Sequence, residues 1–254
     1  MCIKFSKNNI EKSLHEEKHS NGFTLIELSI VLIIIGLIVA GITGGQSLVK
    51  SAELNSIVTQ INNVKTAVSS YELQYNYLPG DHINAYSYFD TDGAGSDICG
   101  ADSAAASGCN GDGDGIIDVA ERYRFWQHLA LEGTMKGTFT GVAEGSAPTM
   151  EAGVNVPESS IKGGALDVLN FSPNGGPTTN YIKFGSQDGA LIENSIISVT
   201  DAVSVDKKMD DGKADSGTIY AENGADAAAP LCLNAGAYLL SSTGQKCKMS
   251  FTLE

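Results

Sequence analysis

The hydrophobic pattern is sharply uneven along the chain. Residues 23–42 read FTLIELSIVLIIIGLIVAGI, an apolar run interrupted by one charge, Glu27. Twenty residues rise about 30 Å as a helix, the thickness of a bilayer's hydrocarbon core. Past Gly44-Gly45 the pattern turns amphipathic. Leu54, Ile57, Ile61, Val64, Val68, Tyr71 and Tyr75 recur at steps of three and four, while Lys50, Glu53, Asn62, Asn63, Lys65 and Ser69 fall between them. That spacing is one face of a helix. One continuous helix is predicted from Phe23 to about Asn76, roughly 80 Å long. Gly36, Gly41, Gly44 and Gly45 are weak helix formers and mark candidate bends or melted turns. Leu78-Pro79-Gly80-Asp81 ends the helix, because proline cannot continue it and glycine supplies a turn. A second helix is predicted over Ala120–Leu131, with Phe125, Leu129 and Trp126 packing it down. Tyr181–Phe184, Leu191–Val199 and Ala237–Leu240 have strand character, with turns such as Pro173-Asn174-Gly175-Gly176 between them. The fold class is α+β: a long N-terminal helix, first transmembrane and then amphipathic, packed on a small antiparallel sheet with long loops.

Charge narrows the partners. Sixteen Lys and Arg stand against 30 Asp and Glu in 254 residues, a net charge of −14. A nucleic-acid binder needs a basic face to neutralise phosphates, and an anionic lipid surface attracts basic segments, so both partners are disfavoured. Apolar residues make up 42%, an ordinary globular share, which argues against wholesale disorder.

Three readings of the apolar run compete. A cleaved secretory signal finds a small-residue site at Val39-Ala40-Gly41. However, Glu11, Glu16 and Glu17 offset Lys4, Lys7, Lys12 and Lys18 ahead of the run, and the run exceeds the usual length. A plain single-pass anchor leaves unexplained why a carboxylate, costly in hydrocarbon, sits on the run's fifth residue. The third reading accounts for it. Gly22-Phe23-Thr24-Leu25-Ile26-Glu27-Leu28 resembles the cleavage and methylation motif of type IV prepilins. The resemblance implies a cut after Gly22 by a dedicated peptidase, N-methylation of Phe23 as the new terminus, and an assembly role for Glu27. The cut creates an α-ammonium on Phe23. Glu27 of one subunit can pair with that ammonium on its neighbour, so that two charges costly apart in lipid become tolerable together and set the axial register.

Residues 81–121 hold nine acids and no Lys or Arg, and are rich in Gly, Ala and Ser. Loops of this length are usually functional or tethered. Within it, Asn110 to Glu121 matches a twelve-residue calcium loop. Asn110, Asp112 and Asp114 stand at positions 1, 3 and 5, Gly115 at the turn, and Ile116 at the backbone-carbonyl position. Asp118 and Glu121 stand at positions 9 and 12. Ca²⁺ is the expected ion, with Asn110 in place of the usual Asp. An Asn/Asp/Gly turn with solvated charges accounts for the same residues. A second acidic turn, Asp206 to Asp215, lacks the ligand spacing.

Cys2 lies in the leader, leaving Cys99, Cys109, Cys232 and Cys247. An even count outside a membrane suggests disulfides. Of three connectivities, the local one is preferred: Cys99 with Cys109 and Cys232 with Cys247. His82 and His128 are open to a catalytic or ligand role, with a satisfied or surface histidine the commoner case. No GxxxxGK[ST], GxSxG, HExxH or SxxK pattern occurs. No enzyme activity is expected.

The chain is similar to the type IV pilin and type II secretion pseudopilin superfamily, most firmly over residues 22–80. The resemblance implies a leader over 1–22, the transmembrane half of a stem helix over 23–45, its amphipathic half over 46–78, and a globular head over 79–254. A calcium-ordered head is in keeping with the major pseudopilin. It further implies a structural subunit held in the bacterial inner membrane with a periplasmic head, then extracted into a pilus or pseudopilus. Its partners are itself and other pilins or pseudopilins, the prepilin peptidase/methyltransferase and an inner-membrane assembly platform. The alternative is a membrane-tethered periplasmic calcium-binding module or enzyme that never polymerises.

Overall fold

The computed structural model describes residues 24–89, 109–143, 149–228 and 231–253. The described chain falls into two units that meet between Leu48 and Val49. Helix α1 (Leu25–Tyr75) contributes to both.

In the first unit α1 is apolar on all its faces. Its large aliphatic side chains from Leu25 to Leu48 stand exposed, Leu25 at 89% and Leu32 at 70%. Leaving such side chains in water forfeits roughly 1.5–3 kcal/mol each relative to burial. A helix apolar all round belongs in lipid or in a protein core. It is the one helix among the described residues long and apolar enough to cross a membrane. The helix is unbroken through Gly36, Gly41, Gly44 and Gly45, so no melted turn divides it.

In the second unit the amphipathic stripe does what its spacing predicts. Leu54, Ile57, Ile61, Val64, Val68 and Tyr71 are buried, with Tyr75 packed at the edge. They join the core face of an antiparallel sheet. Strands β1 (Gly164–Phe171), β2 (Thr179–Gln187), β3 (Ile192–Asn194), β4 (Ile197–Ser198), β5 (Ile219–Asn223) and β8 (Gln245–Thr252) form six strands in the order β1-β2-β8-β4, with β3 on β2 and β5 on β8. Ile182 pairs with Phe251 and Phe184 with Met249, while Val168 and Leu166 lie opposite Ile182 and Phe184. Side chains alternate across the pleat, so these residues share one face, and all belong to the core that includes the α1 stripe. The hairpin of β6 (Leu233–Asn234) and β7 (Ala237–Tyr238) stands apart.

Helix α2 (Tyr86–Phe89) is a single turn. Helix α3 (Glu121–Glu132) lies within one residue of its predicted bounds. It buries Tyr123, Phe125, Trp126 and Leu129 and ends on Gly133 in the left-handed region. The segment 191–199, predicted as one strand, divides into β3 and β4 and then gives way to α4 (Val199–Met209). Ser198 accounts for the switch: its hydroxyl accepts the Asp201 amide at 3.2 Å and caps α4. Strands β1, β5, β6 and β8 lie outside the predicted strand segments. β8 carries Lys246, Lys248 and Ser250, and its polar positions hid it.

Candidate functional site

The first turn of α1 is closed by a reciprocal pair. Thr24 donates its amide to Glu27 Oε2 at 2.8 Å, and its hydroxyl accepts the Glu27 amide at 3.3 Å. This is a capping box, Thr-x-x-Glu. The sole acid of the apolar run therefore satisfies its own helix terminus. Gly22 and Phe23, the predicted processing pair, lie outside the described residues.

The acidic loop begins, within the described residues, at Cys109 and ends in α3. Asp81 enters it from the turn that terminates α1. Gly80, at φ +85°, makes the approach possible, since a Cβ there would lie 2.7 Å from the Glu121 carbonyl oxygen and 2.9 Å from the Phe125 nitrogen. Asp81, 2% exposed, then spreads its carboxylate across the loop. Oδ1 accepts the Gly113 and Asp114 amides and Oδ2 accepts Gly115 at 2.7 Å. Burial raises the Asp81 carboxyl above its usual range, with the amides of Gly115 and Gly113 opposing that shift and Asp114 and Asp112 adding to it.

The six predicted ligands separate into groups. Asp112 and Asp114 are exposed and converge with Asp81, one carboxylate oxygen of each lying within 4.8 Å of the others. Asn110 Oδ1 instead accepts the Tyr86 amide at 2.9 Å. Asp118 and Glu121 form a second capping box: Asp118 Oδ1 accepts the Glu121 amide at 3.0 Å, and Glu121 Oε2 accepts the Asp118 amide at 3.1 Å. Glu121 Oε1 also takes the Asp112 amide, tying the loop to α3. Burial pushes the Glu121 carboxyl up to about 7 against those two amides. The Ile116 amide donates to Asp114 Oδ1 at 2.7 Å, and its side chain is 44% exposed. Ile117, fully buried, anchors the loop in the core.

Asn180 on β2 completes the frame. It donates to the Gly115 carbonyl at 2.9 Å and accepts the Ile117 amide at 3.0 Å. No local pattern marked Asn180 in the sequence. Asp81 had a signal in its Pro79-Gly80 turn, which folds the chain back on itself. Three converging carboxylates are hard oxygen donors of the kind that hold a divalent cation, and the loop residues 109–121 bring no Lys or Arg among them.

Beneath the loop lies a buried polar cluster. His128 is fully buried, and its Nδ1 accepts the Gly80 amide at 2.9 Å. Nδ1 therefore carries no proton, and Nε2–H donates to the Cys109 carbonyl at 2.8 Å. Tyr71 of α1 sits 3.3 Å from that Nδ1 and 2.8 Å from His82 Nδ1. Burial drives the His128 pKa down to about 3. Its role here is packing and hydrogen bonding between α1, the turn and α3. Nearby, Arg122 of α3 pairs with Asp167 of β1, both buried, through Nε at 2.9 Å and through a second guanidinium contact.

The second acidic turn converges too, with Asp206, Asp210 and Asp211 each offering an oxygen within 4.8 Å of the others. Asp206 is engaged by the Tyr238 hydroxyl at 2.7 Å and the Gly212 amide at 3.0 Å. Asp210 takes the Ile219 amide at 3.0 Å. Cys232 and Cys247 form a disulfide, with Cα atoms 5.0 Å apart, joining the segment before β6 to β8. Cys109 is also disulfide-bonded; Cys99 lies outside the described residues.

No curated protein and no solved structure matches the chain. A family model described as the prokaryotic N-terminal methylation motif matches residues 18–43, spanning Gly22, Phe23, the Thr24–Glu27 cap and the whole apolar run. At the head of its membrane-length helix, this chain carries the prokaryotic N-terminal methylation motif, the prepilin-type motif.

Proposed function

We propose that the chain is a prepilin-like structural subunit of a type IV pilus or type II secretion pseudopilus, and not an enzyme. The observation that carries this reading is the methylation motif at the start of a helix apolar all round for its first half and amphipathic for its second. Residues 1–22 are the leader, 23–45 the transmembrane half of the stem, 46–78 its amphipathic half, and 79–254 the head. A prepilin peptidase/methyltransferase cuts after Gly22 and methylates Phe23. The head faces the periplasm, in keeping with the Cys232–Cys247 disulfide, since such bonds persist in oxidising compartments. An inner-membrane assembly platform then lifts the subunit into a filament of its own kind or with other pilins. Glu27 pairs there with the Phe23 amine of a neighbour.

Calcium belongs to the same reading. Its supports are the Asn110–Glu121 pattern and the convergence of Asp112 and Asp114 with Asp81. Asp81, Asp112 and Asp114 would hold the ion, with Asn110, Asp118 and Glu121 shaping the loop through backbone amides. The ion would neutralise carboxylates that otherwise repel one another, and so order the head.

N-terminal mass analysis of the full-length chain expressed with a prepilin peptidase tests the proposal. A mature terminus at methylated Phe23 is expected. Retained Met1, or a cut near Gly41, overturns it.

A further inference from the structure

Glu27 Oε2 accepts two donors from a single residue, the Thr24 amide at 2.8 Å and the Thr24 hydroxyl at 2.8 Å. Among the described residues Oε1 takes no hydrogen bond. The two oxygens are thus unequal: one is held within the chain and the other is free to meet a cation. Both residues are exposed at the end of α1. We infer that Thr24 is a positioning residue for Glu27, holding Oε2 so that Oε1 is presented to the α-ammonium of a neighbouring subunit. This rests on the prepilin reading above.

The chemistry requires a residue of this type at this place. A glutamate side chain has three torsions to lose when it docks on a partner, and fixing them beforehand removes that cost from the assembly step. The Thr24 hydroxyl is both donor and acceptor: it gives its proton to Oε2 and receives the Glu27 amide. Valine has the same shape without the hydroxyl. Serine restores it. Glycine separates two roles, because at a helix N-cap it serves nearly as well as threonine and keeps the backbone amide, yet has no hydroxyl to give to the carboxylate.

The test uses the full-length chain in cells that assemble it, measuring the fraction of subunits recovered in sheared filaments and the mass of the mature N-terminus. Thr24→Val is expected to keep the Phe23 terminus and membrane insertion while lowering the filament fraction by roughly tenfold, the scale on which a lost cap-type hydrogen bond acts. Thr24→Ser should recover to within about twofold of the parent, and Thr24→Gly should fail like valine. Normal assembly by Thr24→Val overturns the inference. So does normal assembly by Thr24→Gly with failure by valine, which reduces Thr24 to a helix cap. A parent chain whose terminus is not Phe23 overturns the prepilin reading and this inference together.

Discussion

Asp81 Oδ2 accepts the Gly115 amide at 2.7 Å across a sequence separation of 34 residues. With Gly113 and Asp114 on Oδ1, one buried carboxylate from the end of the stem helix organises the turn of the acidic loop. Asp81→Ala strands those amides and removes a candidate ligand. A loss of about 0.5–1.5 kcal/mol is expected, the net scale of a lost hydrogen bond, because the freed amides lie on exposed loop residues that water can reach. Thermal melting of the detergent-solubilised chain in chelator checks it, and Asp81→Asn, which keeps one acceptor oxygen, should lose less.

Calcium should raise the melting temperature of the head. A ligand at 100 times its Kd adds about 2.7 kcal/mol to the folded state. Asp112→Ala with Asp114→Ala should abolish the increment and leave the chelator baseline nearly unchanged, because both side chains are exposed. A parent melting curve indifferent to calcium and chelator sinks the metal role.

Glu27→Ala should block filament formation while leaving membrane insertion intact, since the remaining apolar run is ample to span. Membrane fractionation and shearing measure the two separately. Normal filaments from this variant defeat the register role of Glu27.

His128 sets a pH dependence. Its folded pKa, near 3, lies below the unfolded value of about 6.5. The unfolded chain therefore binds a proton that the folded chain refuses, so the His128 contribution is complete above pH 6.5 and falls away towards pH 3. Glu121, raised to about 7, acts with the opposite sign, its contribution falling as pH rises from about 4.5 towards 7. The comparison that isolates His128 is parent against His128→Asn. The variant should be less stable at pH 7, and the gap should narrow at pH 4.5.

Arg122→Met leaves Asp167 as a buried carboxylate without its partner. A loss of about 3–5 kcal/mol is expected. Chemical denaturation checks it, and Arg122→Met with Asp167→Leu should recover much of the loss because the pair is then replaced by apolar volume.

The stem was legible in the sequence because its forces are local. A three-four spacing places Leu54 to Tyr71 on one face whatever they pack against, and the apolar run from Phe23 to Ile42 needs no partner to declare its length. The motif at Gly22–Glu27 is likewise contiguous. The sheet was legible only where strands alternate or run apolar, as at Tyr181–Phe184. β8, carrying Lys246, Lys248 and Ser250, takes its extended shape from neighbours on both sides. At the acidic loop the sequence by itself determined which residue types crowd together and that Gly115 turns the chain. Tertiary structure alone decided which carboxylates meet. Hydrogen bonds to backbone amides turn Asn110, Asp118 and Glu121 to capping and framing, while the Pro79-Gly80 reversal brings in Asp81 from 31 positions before Asp112. A carboxylate's partners depend on distance through space, and a linear pattern records only distance along the chain.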